Sequence, residues 1–152
     1  MSEYESQVDW HKRFFDLAKY VGTWSKDRSK GVGAVIVDND GRVLSMGYNG
    51  FPSGCNDDVD SRYERPAKYM YTEHSERNAI YSAAKNGIIL KNSNIYISLY
   101  PCIDCARAII QSGIKTVTST KPDFEHERWG ESFKVSKEMF DEVGVHVEYV
   151  EE

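Results

Sequence analysis

Two stretches of the chain carry residues able to do chemistry together. "YTEHSERNAIYSAAKNG" (71–87) holds His74 and, two residues on, Glu76; "YPCIDCARAIIQSG" (100–113) holds Cys102 and Cys105. Imidazole nitrogen and cysteine sulfur are zinc donors, and one His with two Cys fills three of the four positions of a tetrahedral ion. The fourth stays open for water, as in catalytic rather than structural zinc sites. Cys102 and Cys105 stand at i and i+3, on the same side of a helical turn. Pro101 suits a helix start, where free N–H groups and the positive end of the dipole favour thiolates over thiols. Glu76 is not needed as a ligand. Zn²⁺ with two thiolates is formally near neutral, so it acidifies water less than an all-histidine site does. A carboxylate that accepts the proton supplies what the metal lacks.

Other readings of the same residues stand beside this one. A Cys-x-x-Cys pair also serves redox chemistry, and a His-x-Glu pair arises by chance on many helices. A closed structural zinc would need a fourth ligand, for which Cys55 is available. What makes the elements specific is their combination, on two expected helix starts with a strand between them.

The elements that must position them follow from periodicity and turn residues. Residues 8–22 place Trp10, Phe14, Leu17, Ala18 and Val21 on one helical stripe. "VGAVIVD" (32–38) and "RVLSMGYN" (42–49) read as strands joined by the hairpin signal "NDG". Residues 50–72 form a loop long enough to be functional or ordered by a ligand. A helix follows from about His74 to Asn86, with Glu76, Ala79, Ile80, Ala83 and Ala84 on one face. "NIYISL" is a strand, and Pro101 opens a helix with Cys102, Cys105, Ala106, Ile109 and Ile110 inward. "KTVTST" is a strand. Residues 132–143 form a helix with Val135, Met139, Phe140 and Val143 inward, and "VHVEYV" closes the chain as a strand. The order predicts an α/β fold of three layers, a mixed five-stranded sheet with helices on both faces and its last two strands parallel.

Size and composition set bounds. The 152 residues predict a single domain, 1–152, able to bury an ordinary core. Three cysteines argue against a disulfide framework. "MSEYESQVDWHKRFF" carries no apolar run after a basic segment, and "GVGAVIV" is too short to cross a bilayer. A cytoplasmic protein with no membrane partner is expected. The net charge of −5 argues against a polynucleotide partner, but leaves room for a small anion held by local Lys and Arg.

From about Lys26 to Gly144 the chain resembles the zinc-dependent cytidine and deoxycytidylate deaminase family. The likeness is carried by "VGAVIVDNDGRV", "GYNGFPSGCNDD", "HSERNAIYSAAKNG", "YPCIDCARAIIQSGI" and "RWGESF". The metal motifs are common to the superfamily, with H-x-E followed by P-C-x-x-C as its signature; "GYNGFP" with the following "DD" narrows the likeness to the dCMP branch. The resemblance implies a cytidine deaminase-like fold, hydrolysis of dCMP to dUMP and ammonia, and supply of a thymidylate precursor. It implies that His74, Cys102 and Cys105 bind zinc, that Glu76 shuttles protons to a ring nitrogen and the leaving amine, and that Asn49 contacts substrate. It also implies a homo-oligomer, with dCTP and dTTP as effectors of some members. Ser75 stands where Ala is usual between His and Glu, bringing a hydroxyl near the base, and is expected among the substrate contacts. Relatives with a second, structural zinc draw extra Cys and His from the N-terminal part and the long loop. Here Cys55 is free and His11 is a distant surface helix residue, so one zinc per chain is expected. Alternatives are a deaminase of cytidine, cytosine, guanine or transfer-RNA adenosine, a non-catalytic zinc module that binds nucleotides, and a thiol redox protein.

A monophosphate on an acidic protein needs local cations, preferably Arg in fork geometry. The candidates are Lys26, Arg28 and Lys30 before the first strand and Arg62, Arg65 and Lys68 in the long loop. Aromatic rings should sandwich the pyrimidine, with Tyr48, Phe51, Tyr100 and Trp129 near motif positions. Trp129 lies in a loop beyond a parallel strand, where ligands tend to bind, and His126 in that loop could assist the phosphate.

Overall fold

A computed structural model describes residues 9–151. The first helix, α1 (Trp10–Gly22), begins at Asp9, whose carboxylate accepts the Lys12 backbone N–H at 3.1 Å. Its buried stripe is turned from the expected one: Phe15, Ala18 and Val21 are fully buried, whereas Trp10 is exposed and Phe14 and Leu17 only flank the core. Close approach to the first strand sets this rotation. A Cβ on Gly33 would lie 1.9 Å from the Ala18 carbonyl, so that face of the helix must meet the sheet.

Strands β1 (Gly33–Val37) and β2 (Val43–Tyr48) form the expected antiparallel hairpin, its turn closed by Gly41 at φ +84°. The Asp38 carboxylate accepts the Asp40 and Arg42 backbone N–H groups across that turn. Residues 50–72 are less irregular than expected. They contain a 3₁₀ turn (Asp60–Tyr63) and a short helix, α2 (Lys68–Tyr71). The chain's own contacts order this segment. Phe51 stacks on Tyr63 at 4.8 Å between centroids and packs against Tyr71, while Lys26 pairs with Asp57 at 2.9 Å and Arg28 with Asp60 at 2.6 Å.

The rest alternates helix and strand: α3 (Ser75–Lys85), β3 (Asn94–Ile97), α4 (Ile103–Gln111), β4 (Thr116–Ser119), α5 (Gly130–Val143) and β5 (His146–Tyr149). The sheet order is β2-β1-β3-β4-β5, with β1 antiparallel to both neighbours and β3, β4 and β5 mutually parallel. The expected parallel pairing of the last two strands is found. β1 alternates between the faces. Val35 and Val37 join Phe15, Ala18 and Val21 beneath α1, while Ala34 and Ile36 join Ala79, Ala83, Ala106, Ile109 and Phe140 beneath α3, α4 and α5. The three layers are α1, the sheet, and the other three long helices. The inward stripe of α5 is also rotated: Ser136 and Phe140 are buried, Phe133 and Met139 pack against the core, and Val135 and Val143 are exposed. On α3, Ala84 faces outward while Ser75 is buried. No helix among the described residues is long and apolar enough to cross a membrane.

The topology puts many ends at one sheet edge. β2 and β3 finish there, β1 starts there, and α3 and α4 begin there. Gly47 seats α3 against β2: a Cβ at that position would lie 2.5 Å from both the Ala79 nitrogen and the Ser75 carbonyl. Gly47→Ala is therefore expected to destabilise the fold by about 1–3 kcal/mol through overpacking. A thermal melt should show Tm lowered by several degrees; an unchanged Tm would mean that α3 has room to withdraw.

Candidate active site

His74 is the N-cap residue of α3 and Cys102 the N-cap of α4. Neither side chain caps its own helix. Instead both turn toward the gap between the two helix starts. Pro101 precedes the cap rather than entering the first turn, which places Cys105 as the third helical residue. The orphan N–H of Ile103 is met from another element, donating to Ser132 Oγ of α5 at 3.1 Å. Ser132 lies in the stretch "RWGESF", but its role is set by a partner distant in sequence.

His74 Nδ1 lies 3.4 Å from Cys102 Sγ and 3.4 Å from Cys105 Sγ. All three donor atoms fall within 4.8 Å of one another, and among the described residues no other group of three or more potential ligands converges. Tetrahedral zinc, with bonds of about 2.3 Å to sulfur and about 2.0 Å to nitrogen, requires an S···N separation of roughly 3.5 Å. The donor types and spacing therefore fit that ion. The groups also share protons. The Cys102 thiol is pushed down to about 4, first by the hydrogen bond from Cys105, against the effect of burial, and then by His74. That same shared bond, together with burial, pushes Cys105 up, and the contact with Cys102 raises His74. Cys55 is exposed in the long loop and outside this group. His11 lies exposed on α1, its Nδ1 2.8 Å from the Tyr96 hydroxyl.

Glu76, on the first turn of α3, is 4% exposed and lines a cavity of about 420 Å³ that reaches the His74 and Cys102 side chains. The Ser75 hydroxyl, fully buried, donates to Glu76 Oε1 at 2.6 Å. Ser75 thus sits behind the carboxylate and does not line the cavity, a correction to its expected place among substrate contacts.

Asn49 does line the cavity, but half of its amide is already engaged. Its Oδ1 accepts the Val32 N–H at 2.7 Å and its Nδ2 donates to the Lys30 carbonyl at 3.0 Å. One lone pair and one N–H remain for a ligand. Beyond the end of β2, the residue thereby pins the 30–32 segment as a cavity wall. Tyr100 and Trp129 also line the cavity, with Leu99, Val32 and Phe133. The Tyr100 ring is buried against Phe124, Phe133 and Tyr149, and its hydroxyl is buried without a partner. Phe51 is spent on Tyr63 and Tyr71, and Tyr48 packs edge-on to Trp24; neither lines the cavity.

The cations divide in two. Lys26 is committed to Asp57 and Asp58, and Arg62 donates to the Asn56 carbonyl with its guanidinium over the Tyr71 ring. Both lie off the cavity, because the acidic "DD" stretch and the aromatic loop core claim them first. Arg28 is likewise paired with Asp60. Lys30, Arg65, Lys68, Arg77 and Arg128 do line it. Arg128 opens the "RWGESF" stretch but is not among the expected cations. It stands beside Trp129 and enters through the turn before α5. His126 has a local task there, its Nδ1 accepting the Arg128 and Trp129 backbone N–H groups, each at 3.1 Å.

Comparisons with known proteins agree with this geometry. Residues 8–121 match the model of the cytidine and deoxycytidylate deaminase zinc-binding region. The chain is 43% identical over 142 residues to a deaminase encoded in the luxG 3′ region of Aliivibrio fischeri, covering 93% of both chains. It is 38% identical over 118 residues to the deoxycytidylate deaminase of Homo sapiens, covering 74% of this chain and 65% of the human one. In structure it is similar to the dCMP deaminase of cyanophage S-TIM5 solved with dCMP and dUMP, with a TM-score of 0.74, 25% identity and 99% of each chain covered.

One buried ion pair braces the cavity wall. Lys68 Nζ lies 3.3 Å from Asp27 Oδ2, and Asp27 Oδ1 accepts the Ser29 and Lys30 N–H groups at 2.8 and 3.1 Å. Burial alone would raise the Asp27 carboxyl, but those amides and Lys68 outweigh it and hold the group below its usual value. Its stabilising contribution is full above the unfolded-state value and is lost as pH falls through the lower folded-state value. Asp27→Asn should cost about 2 kcal/mol at pH 7, with the Tm gap to the native chain narrowing below about pH 3.9. A gap that stays constant into that acid range would contradict this assignment.

Proposed function

The chain belongs to the cytidine and deoxycytidylate deaminase zinc-binding family, and from that premise we propose that it hydrolyses dCMP to dUMP and ammonia with one zinc per chain. The observation that carries the proposal is a single cavity lined both by His74, Cys102 and Glu76 and by the cations Lys30, Arg65, Lys68, Arg77 and Arg128.

His74 Nδ1, Cys102 Sγ and Cys105 Sγ would hold the ion. When bound, zinc supplies Lewis acidity that makes water a better acid. Glu76 takes one proton from the attacking water and places it on N3 of the pyrimidine as the hydroxyl adds to C4. It then carries the remaining hydroxyl proton to the exocyclic nitrogen. The C4–N4 bond breaks, and the amine leaves as ammonia. Burial of Glu76 on the first turn of α3 keeps that carboxylate beside the reacting atoms, and the Ser75 hydroxyl restrains its rotation. Asn49 offers its remaining N–H and lone pair to the substrate, as the rigid end of a paired strand. Tyr100 and Trp129 provide aromatic surface for the base.

Arg65 and Arg128 are exposed on the cavity wall, and a guanidinium fork matches a phosphate's geometry. The comparisons support a nucleotide in this role through the cyanophage enzyme bound to dCMP and dUMP. A homo-oligomer and a response to dCTP or dTTP belong to the same reading, tested by sedimentation and by assay with each triphosphate.

An ammonia-release assay over dCMP, CMP, deoxycytidine, cytosine and guanine tests the substrate. The highest kcat/KM is expected for dCMP; a higher value for a free base or nucleoside would overturn the phosphate reading. Glu76→Gln should retain zinc by elemental analysis and lose turnover by at least about 10²-fold, the scale of a lost general acid–base. Retained turnover would remove Glu76 from the mechanism. Arg65→Ala with Arg128→Ala should raise KM for dCMP by about tenfold or more and leave KM for deoxycytidine little changed, since each charge-assisted bond is worth about 1.5–3 kcal/mol. An equal rise for both substrates would place the phosphate elsewhere.

A further inference from the structure

Between the two helix starts lies a set of charges that the proposed chemistry does not use. Arg77, in the first turn of α3, lines the cavity beside Glu76 and reaches toward α4, with its side chain 18% exposed. Its Nε donates to Glu73 Oε1 at 2.5 Å, and its Nη1 lies 3.5 Å from Asp104 Oδ2. The two carboxylates occupy telling positions. Glu73 immediately precedes His74, and its Oε1 also accepts the His74 backbone N–H at 3.1 Å. Asp104 stands between Cys102 and Cys105 in the first turn of α4. Glu73 is itself fixed to the end of β2, exchanging backbone hydrogen bonds with Gly50 at 2.8 and 3.1 Å.

From this we infer that Arg77 is a positioning residue, an ionic strap that ties the His74 segment to the Cys102–Cys105 turn and so sets the affinity of the three donors for metal. The inference rests on the zinc reading above. Its physical basis is preorganisation. His74 sits on one helix start and the two sulfurs on another, and no donor is joined covalently to a partner across the gap. Without a brace, each coordination event would have to bring the two starts into register. A guanidinium engages two carboxylates at once through its planar fork. Here one arm of the fork holds the residue before the histidine and the other the residue between the cysteines. Asp104 also pairs with Arg107 one turn further along α4.

A lysine keeps the charge but cannot reproduce the fork, which separates a strap from a simple counter-charge. Zn²⁺ affinity is measured by competition with a chromophoric chelator, and the visible bands of bound Co²⁺ report the coordination geometry. The native chain, Arg77→Met, Arg77→Lys and Asp104→Asn are compared. Arg77→Met and Arg77→Lys should both weaken Zn²⁺ binding by about 10–100-fold, the range for lost partners of metal ligands, with altered Co²⁺ bands. Asp104→Asn should weaken binding in the same direction. Asp104 is half exposed, so this variant keeps the test available if Arg77→Met does not fold, as judged by circular dichroism. Native affinity in Arg77→Lys would show that charge alone suffices and overturn the strap. Native affinity and unchanged Co²⁺ bands in Asp104→Asn would do the same. If the native chain binds neither metal, the zinc reading and the strap fall together; if it binds both metals and the variants match it, the strap alone fails.

Discussion

The site depends on one constraint: three donor atoms from two separate helices must meet at a single point. Each helix supplies its donor from the start, where the chain has not yet committed its side chains to the helical surface. His74 and Cys102 occupy cap positions yet make no cap bonds, which frees them to face each other. The 3.4 Å contacts between imidazole and sulfur are the outcome. β3 makes the meeting possible. It lies between β1 and β4, and the turn after it delivers Cys102 to the edge where α3 begins. Gly47, by letting β2 approach α3 closely, sets how near the start of α3 lies to the sheet.

Around this point the chain spends its charges in a defined order. The loop acids Asp57, Asp58 and Asp60 take Lys26 and Arg28, and this salt-bridged face holds the loop on the segment before β1. The buried Asp27–Lys68 pair joins the same two segments nearer the cavity. Arg65 and Arg128 are left on the cavity wall beyond those pairs. An acidic protein can thus present cations to a small ligand, because the acids Asp27 and Asp104 that share the cavity wall are paired with neighbouring cations.

Much of this was legible in the chain. The alternation of strand and helix signals, the hairpin at "NDG" and the parallel closing strands are all present in the structure. The rotated stripes of α1 and α5 show the limit of periodicity. Trp10, Phe14 and Val135 are as apolar as the residues that are buried instead. Which neighbour turns inward is decided by where a glycine allows backbone contact, as at Gly33, and by the shape of the opposing strand. One part of the long loop differs for a related reason. Phe51 is expected near the ligand but packs on Tyr63 and Tyr71, while Arg65, Lys68 and Tyr69 of the same loop do line the cavity.

The sequence alone determined the chemical types and the local spacing: a histidine two residues before a glutamate, and two cysteines one helical turn apart after a proline. Those relations are short-range, and helix geometry converts them directly into shared faces. Only the tertiary structure decided which distant groups complete the site. It brought Arg128, Ser132 and Lys30 to the cavity and its edges, turned Lys26 and Arg62 away, hid Ser75 behind Glu76, and set Glu73, Arg77 and Asp104 in one chain of charges. The physical reason is that a long side chain pairs with whichever opposite charge lies nearest in space. That distance exists only once the sheet order is fixed and the helix starts have converged.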